Sequence, residues 1–167
     1  KVPDGVPRTY EALTKAGVIF ASDPDWKNSK GQLWRISADG KAALIDQTGT
    51  SNGVEVSPDQ RWLYVNESAQ RKVWAYPLND QLETGAKKLL IEFADFGLDG
   101  MRCDSNGNLY IARYGKGTVV KLSPAGAVLK EFNLHGQFPT NVALSPDERF
   151  LYVTIQRDGS IERIALR

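Results

Sequence analysis

The sequence of 167 residues predicts an all-β fold that is built from a repeated unit. Asn52–Val65 and Asn141–Val153 are closely similar, Asp99–Ile111 has the same pattern, and Gly17–Ser22 resembles the second half of that pattern. Each unit has an aromatic residue at one point of its second strand, with separations of 44, 46 and 42 residues: Phe20, Tyr64, Tyr110 and Tyr152. A period in the forties without a long helical pattern is typical of β-propeller blades, which are four-stranded sheets.

The elements of each unit follow in order along the chain. Tight-turn sequences join the first two strands, and the second strands are rich in β-branched and aromatic residues. Third and fourth strands are predicted at 32–36, 42–45, 72–76, 88–92, 118–122, 127–132 and 160–164. The units cover about 7–47, 48–95, 96–136 and 137–167, so we predict a single propeller domain over 1–167 that is truncated at its N-terminus. Within the first unit, Glu11–Lys15 is predicted to form one helical turn that ends at Gly17.

Composition excludes several classes of function. The formal net charge is +1, which gives no electrostatic reason to expect a nucleic acid or an anionic membrane as partner. The single cysteine, Cys103, excludes an internal disulfide framework and a multi-cysteine zinc site. The chain begins at Lys1 without an initiator Met, for which a secreted or periplasmic origin and a truncation are alternative explanations. We therefore leave the compartment open and expect a small-molecule partner.

Four pairs of motifs, in order and at blade spacing, resemble the gluconolactonase family, the group of senescence-marker-protein, gluconolactonase and luciferin-regenerating-enzyme sequences. The resemblance covers about residues 17–167. The motifs are Ile19–Pro24 with Gly31–Ile36, Ser51–Asp59 with Leu63–Ser68, Leu98–Met101 with Gly107–Ala112, and Pro139–Val142 with Leu151–Thr154.

This resemblance implies a six-bladed propeller, of which the chain covers about four blades, and the hydrolysis of sugar lactones. It also implies one divalent cation in the central tunnel, most often Ca²⁺, with Zn²⁺, Mn²⁺ or Mg²⁺ as alternatives. Asn52 and Asp99 match two of the family's three metal ligands, and Asp99 matches the general base. The third ligand, a Glu, has no counterpart in this sequence. A further family Asn, in a Pro-Asn-Asp motif, corresponds to Arg8, so its role is not carried over.

The residues themselves support the same site. Asn52 and Asp99 lie at the start of the first strand in consecutive units, and the innermost strands of a propeller line its tunnel. Both side chains are therefore expected to face one point on the axis, where an amide oxygen and a carboxylate suit a hard cation. Gly53 and Gly100 would allow close backbone approach or a bulge. Taken without the family pattern, Asn-Gly and Asp-Gly are common turn dipeptides.

Three more residues are candidates for substrate binding. Asp23 and Trp26 lie in a polar loop after a second strand, where they would line the mouth of the pocket. Arg113 begins a basic hairpin and would contact a sugar hydroxyl or acid, although a solvated turn is the simpler explanation. His135 is the only histidine, and without a Ser-Gly elbow or a second His the sequence gives almost no support for a hydrolase triad.

Two other functions stay open besides metal-dependent lactone hydrolysis. The missing Glu ligand favours a non-catalytic propeller that only binds. Alternatively, the same fold and metal would serve a metal-dependent esterase or organophosphatase, because a fold alone does not choose a substrate.

Overall fold

The computed structural model describes residues 10–166 and has four antiparallel sheets in this part of the chain. Each sheet is a meander, in which strands that follow one another along the chain are hydrogen-bonded neighbours. The first two sheets contain β1 (Glu11–Leu13), β2 (Ile19–Asp25), β3 (Lys30–Ile36), β4 (Ala42–Thr48), β5 (Ser51–Val56), β6 (Trp62–Glu67), β7 (Lys72–Pro77) and β8 (Lys88–Glu92). The last two contain β9 (Met101–Cys103), β10 (Leu109–Arg113), β11 (Thr118–Leu122), β12 (Val128–Asn133), β13 (Pro139–Leu144), β14 (Phe150–Ile155) and β15 (Ser160–Ala165).

The predicted all-β, blade-like arrangement is confirmed. The first strands of the four sheets, β1, β5, β9 and β13, contact one another in succession, so they form the inner side of the arrangement. The fourth strands, β4, β8 and β12, are mostly exposed and form its outer side. No helix in residues 10–166 has the length and apolar character needed to cross a membrane.

The predicted tight turns join the first and second strands of the sheets. In the second sheet, the Ser57 N–H donates to the Trp62 carbonyl, and the Ser57 hydroxyl accepts from the Trp62 N–H at 3.0 Å. Gln60 has a φ of +57°, and Glu148, at the matching place in the last sheet, has a φ of +52°. The same side-chain bonds recur there between Ser145 and Phe150. The repeated Ser-Pro-Asp sequence therefore produces a repeated turn.

The helical turn expected over Glu11–Lys15 is wrong. Glu11–Leu13 forms strand β1, in which Ala12 pairs with Phe20 of β2. Ala12 is buried while its two neighbours are exposed, which is the period-two pattern of a strand. Burial of Ala12 against Phe20 outweighs the helix propensity of Glu, Ala and Leu, and Gly17, with a φ of +80°, completes the turn to β2.

The hydrophobic core lies between neighbouring sheets in three clusters. Consecutive residues of β6 point in opposite directions: Leu63 and Val65 pack toward the first sheet, and Tyr64 packs toward the third. In β10, Ile111 packs toward the second sheet and Tyr110 toward the fourth. This alternation buries both faces of the second and third sheets and so fixes how neighbouring blades stack.

Candidate functional site

The inner ends of the sheets surround a cavity of about 530 Å³. Asn52 lies in β5, and Asp99 lies two residues before the first residue of β9, so both predicted site residues are at the start of an inner strand. The cavity is lined by Tyr10, Trp26, Asn52, Ser68, Asp99, Tyr114, Thr140 and Gln156. Side chains from all four sheets therefore meet at one place.

The two predicted residues are in direct contact. The Asn52 amide donates from Nδ2 to Asp99 Oδ1 at 3.0 Å and to the Leu98 carbonyl at 3.3 Å. The Tyr10 hydroxyl lies 2.8 Å from the same Oδ1. Asp99 Oδ1 is thus the oxygen on which two side-chain donors from two other sheets converge.

The backbone that carries Asp99 is held by a fully buried asparagine, Asn66. Its Nδ2 donates to the Asp99 carbonyl at 2.6 Å, and its Oδ1 accepts from the Gly53 N–H at 3.2 Å. One side chain of β6 therefore joins the residue after Asn52 to Asp99 itself. Such a bridge fixes the distance between the two segments that carry the candidate site.

The predicted close approach at Gly53 is confirmed. A Cβ at this position would lie 2.5 Å from the Asp99 carbonyl oxygen, so any larger residue would push the two segments apart. The pairing of β5 with β6 is also irregular between Ser51 and Val54, as expected for a bulge. Asn52 can contact Asp99 because the next residue, Gly53, has no side chain to hold the two segments apart.

Burial dominates the electrostatics of Asp99. Removal of the carboxyl group from water raises the pKa of Asp99 to about 6, and the hydrogen bonds from Tyr10 and Asn52 act in the opposite direction. No Lys or Arg among residues 10–166 forms an ion pair with Asp99. The carboxylate is therefore held at the axis without a cationic side chain from the described chain.

The donor set fits a hard cation in part. The Asn52 Oδ1 is buried and accepts no hydrogen bond, which costs about 1–3 kcal/mol for a buried polar atom. A cation would give this oxygen a partner, and the Asp99 carboxylate beside it supplies the charge that Ca²⁺ prefers. Residues 10–166 contain no cluster of three or more His, Cys, Asp or Glu side chains that is suited to a metal ion. Asn52 and Asp99 thus supply only part of a coordination shell.

Of the three residues predicted to bind substrate, Asp23, Trp26 and Arg113, one lies on the cavity. Trp26 lines the cavity and is 56 % exposed, as expected at a pocket mouth. Asp23 lies instead at the end of β2 in a separate groove of about 290 Å³, so it is not brought to the cavity. Arg8 lies outside the described residues.

Arg113 is also not brought to the cavity. It is only 1 % exposed, and its guanidinium stacks on Phe93 and donates to the side chain and the carbonyl of Asp95. The guanidinium is buried and held by Phe93 and Asp95, so it is unavailable to a ligand in the cavity. The local sequence does not indicate this burial, because the partners of Arg113, Phe93 and Asp95, precede it by about twenty residues.

Sequence reasoning missed Tyr10, Asn66 and Thr140. Thr140 had a detectable signal, because it lies five residues before the turn residue Ser145, as Asn52 and Asp99 do before Ser57 and Asp104. By the same alignment, Tyr10 occupies the position of Gly53 and Gly100. A bulky aromatic at a position where the next two units have glycine was the only available indication of its role.

The comparisons with known proteins agree with this architecture. Residues 12–157 match the protein family described as "SMP-30/Gluconolactonase/LRE-like region". The chain is 36 % identical over 141 residues to a 6-deoxy-6-sulfogluconolactonase of Pseudomonas putida, covering 81 % of this chain and 48 % of that protein. It is 32 % identical over 146 residues to a pentonolactonase of Haloferax volcanii, in a match that covers 83 % of this chain and 50 % of that protein. The crystal structure of a calcium-binding regucalcin from Agrobacterium tumefaciens superimposes with a TM-score of 0.81 at 23 % identity, over 90 % of this chain and 53 % of that one.

The all-β blades and the inner-strand site define a protein of the propeller class. Within that class, the chain belongs to the SMP-30/gluconolactonase/LRE-like family. It spans about half the length of the curated relatives that it matches.

Proposed function

We propose that this chain carries the catalytic part of a divalent-cation-dependent sugar lactonase, with Asp99 as both metal ligand and general base. The observation that carries the proposal is a buried carboxylate without a cationic partner in the described chain, beside the unpaired Oδ1 of Asn52, on a cavity at the inner ends of the sheets. The names of the relatives support the substrate class, since two of them are lactonases of sugar acids.

Asp99 would act on the water that attacks the lactone. It takes a proton from this water as the water oxygen bonds to the lactone carbonyl carbon, and a tetrahedral oxyanion forms. The bond from that carbon to the ring oxygen then breaks, and Asp99 returns the proton to the departing alkoxide. The product is the open-chain sugar acid. A pKa of about 6 suits this exchange, because general bases work best when their pKa is near the operating pH.

Asn52 and Asp99 are the residues of the described chain that would hold the cation. When bound, a divalent cation polarises the lactone carbonyl and stabilises the oxyanion. It also favours the ionised form of Asp99 and thereby weakens it as a base, so the burial of Asp99 and the charge of the cation have opposing effects.

The remaining side chains of the cavity suit a sugar. Trp26 offers an aromatic face to the apolar side of the ring, and Tyr114, Thr140 and Gln156 offer hydroxyl and amide groups for the sugar hydroxyls. These residues would bind and orient the lactone so that its carbonyl lies near Asp99.

The experiment is a substrate panel of aldonolactones, a simple aryl ester and an aryl phosphotriester, each with Ca²⁺ and with a chelator. We expect hydrolysis of the aldonolactones that is lost with the chelator. Preference for the ester or the phosphotriester would replace the lactonase proposal by the esterase or organophosphatase alternative. No hydrolysis of any substrate, with binding of Ca²⁺ and lactone retained, would leave a binding propeller instead.

A further inference from the structure

Tyr10 joins three sheets at the candidate site. From the first sheet, its hydroxyl reaches Asp99 Oδ1 before β9 and the Thr140 carbonyl in β13, both at 2.8 Å. Its backbone is anchored by Ser22, whose N–H donates to the Tyr10 carbonyl at 3.0 Å. The Ser22 hydroxyl donates in turn to the Asn52 carbonyl at 2.6 Å. A closed chain of hydrogen bonds therefore connects Tyr10, Ser22, Asn52 and Asp99.

The phenol has one proton and two possible acceptors. The Thr140 carbonyl already accepts from the Gly100 N–H at 2.7 Å, whereas Asp99 is a carboxylate without a cationic partner in residues 10–166. A hydrogen bond to a charged acceptor is stronger than one to a carbonyl that already has a donor. The proton of Tyr10 therefore goes to Asp99 Oδ1.

Both side-chain donors to Asp99 bind the same oxygen. Tyr10 and the Nδ2 of Asn52 converge on Oδ1, and no side-chain donor among the described residues reaches Oδ2. Two donors on one carboxylate oxygen oppose rotation of the carboxylate about its Cβ–Cγ bond. The two oxygens of Asp99 are thereby made unequal.

We infer that Tyr10 is a positioning residue for Asp99: it holds the carboxylate by Oδ1 and leaves Oδ2 for the cation and for the proton of the attacking water. The inference rests on the function proposed above. Tyr10 acts through Asp99 and keeps its own proton throughout, so it is not a catalytic residue in this account. Its effect is on the geometry of the base, which sets the rate of the chemical step more than the binding of the lactone.

A purely structural brace between sheets is the competing explanation, and the chain offers a matched control. Tyr76 is 2 % exposed, and its hydroxyl donates to Asp46 Oδ2 at 2.9 Å, away from the cavity. Tyr10→Phe and Tyr76→Phe each delete one phenolic hydroxyl that is bonded to an aspartate. A structural role predicts similar consequences for both variants.

The test compares the two variants with the wild type in thermal unfolding, in kcat and KM for an aldonolactone, and in calorimetric titration with Ca²⁺. We expect both variants to lose similar stability. Only Tyr10→Phe should lose kcat, roughly 10- to 100-fold with KM little changed, as expected for a misplaced base. It should also bind Ca²⁺ more weakly than Tyr76→Phe does.

Equal kcat values and equal Ca²⁺ affinities in the two variants would overturn the inference. If the wild type hydrolyses no lactone, the proposed function fails and the titration alone decides: weaker Ca²⁺ binding in Tyr10→Phe supports the positioning role, and equal binding overturns it. A wild type that neither hydrolyses lactone nor binds Ca²⁺ contradicts both statements.

Discussion

Two tyrosine–aspartate hydrogen bonds in this molecule are alike in length and differ in surroundings. Tyr10 bonds to Asp99 at 2.8 Å on the central cavity, and Tyr76 bonds to Asp46 at 2.9 Å between the first and second sheets. Asp46 Oδ2 also lies 2.7 Å from the Lys87 ammonium. Asp99 forms no ion pair with a Lys or Arg of residues 10–166, and burial raises the pKa of Asp99 to about 6.

The difference distinguishes a carboxylate that has its own counter-charge from the one that we propose to be functional. A desolvated carboxylate without a counter-charge is unfavourable, so a fold keeps one where a ligand or a reaction uses it. Asp46 has its cation within the chain, whereas Asp99 has beside it an amide oxygen, on Asn52, that also lacks a partner. The carboxylate without a counter-charge and the unpaired amide oxygen lie on the same cavity, where one cation would serve both.

The largest expected effect comes from replacing the aspartate of each pair. Asp99→Asn should lower kcat for an aldonolactone by about 10²- to 10⁴-fold, because the general base is lost. Asp46→Asn should lower the melting temperature but leave kcat near the wild-type value. Steady-state kinetics at a Ca²⁺ concentration that saturates the wild type measure both, and a similar loss of kcat in the two variants would remove the distinction between the sites.

The next effect concerns Asn66, which is hydrogen-bonded to the backbone of Asp99. Asn66→Ala deletes two hydrogen bonds to the segments of Asn52 and Asp99, leaving the Asp99 carbonyl and the Gly53 N–H unpaired. We expect a loss of about 1–3 kcal/mol in the free energy of unfolding, measured by urea denaturation, together with a lower kcat.

Asn108→Ala is the control for Asn66→Ala, since the Asn108 side chain bonds to Asp104 within a turn, away from Asn52 and Asp99. It should lower stability without lowering kcat. A full wild-type kcat in Asn66→Ala would show that the bridge serves the fold alone.

A smaller effect tests the wall of the cavity. Trp26 is more than half exposed, so removal of its ring should cost little stability. Trp26→Ala should raise KM for the lactone about 5- to 20-fold with kcat nearly unchanged, as for the loss of one stacking contact of roughly 1–2 kcal/mol. Trp26→Phe keeps an aromatic face and should recover most of the affinity, and a KM unaffected by Trp26→Ala would exclude the stacking role.

The smallest effect is a pH dependence at another buried carboxylate. Burial raises the pKa of Glu55 to about 6, against the opposing influence of Arg102, whose guanidinium lies 2.9 Å away. A pKa that is higher in the folded state favours the protonated form there. The contribution of Glu55 to stability is therefore fully present below about pH 4.5 and is lost as the pH rises through 6.

Replacement of Glu55 by Gln tests this sign. The wild type should lose on the order of 1–2 kcal/mol of stability relative to Glu55→Gln between pH 4.5 and pH 7, measured by denaturant unfolding. A difference between the two proteins that is constant with pH, or that changes in the opposite direction, would contradict the assignment.

The sequence predicted the blades and the meeting of Asn52 with Asp99 because both depend on repetition. Turn residues recur at a fixed place in each unit, and equivalent positions of neighbouring inner strands face the same axis. Thr140 obeys the same rule, but a threonine is not a typical metal ligand, so its residue type alone does not mark it as a site residue.

The features that the sequence did not predict depend on contacts between different segments of the chain. The burial of Arg113 requires Phe93 and Asp95, and the role of Tyr10 requires Asp99 and Thr140, with no local pattern that links them. The strand at Glu11–Leu13 likewise depends on the pairing of Ala12 with Phe20, which helix propensity does not include.

We propose that the cation binds at Asp99. Calorimetric titration of Ca²⁺ into the chelator-treated wild type, Asp99→Asn and Asp46→Asn tests this directly. We expect a saturable heat of binding in the wild type and in Asp46→Asn, and none in Asp99→Asn. Binding of equal affinity in Asp99→Asn and the wild type would contradict it.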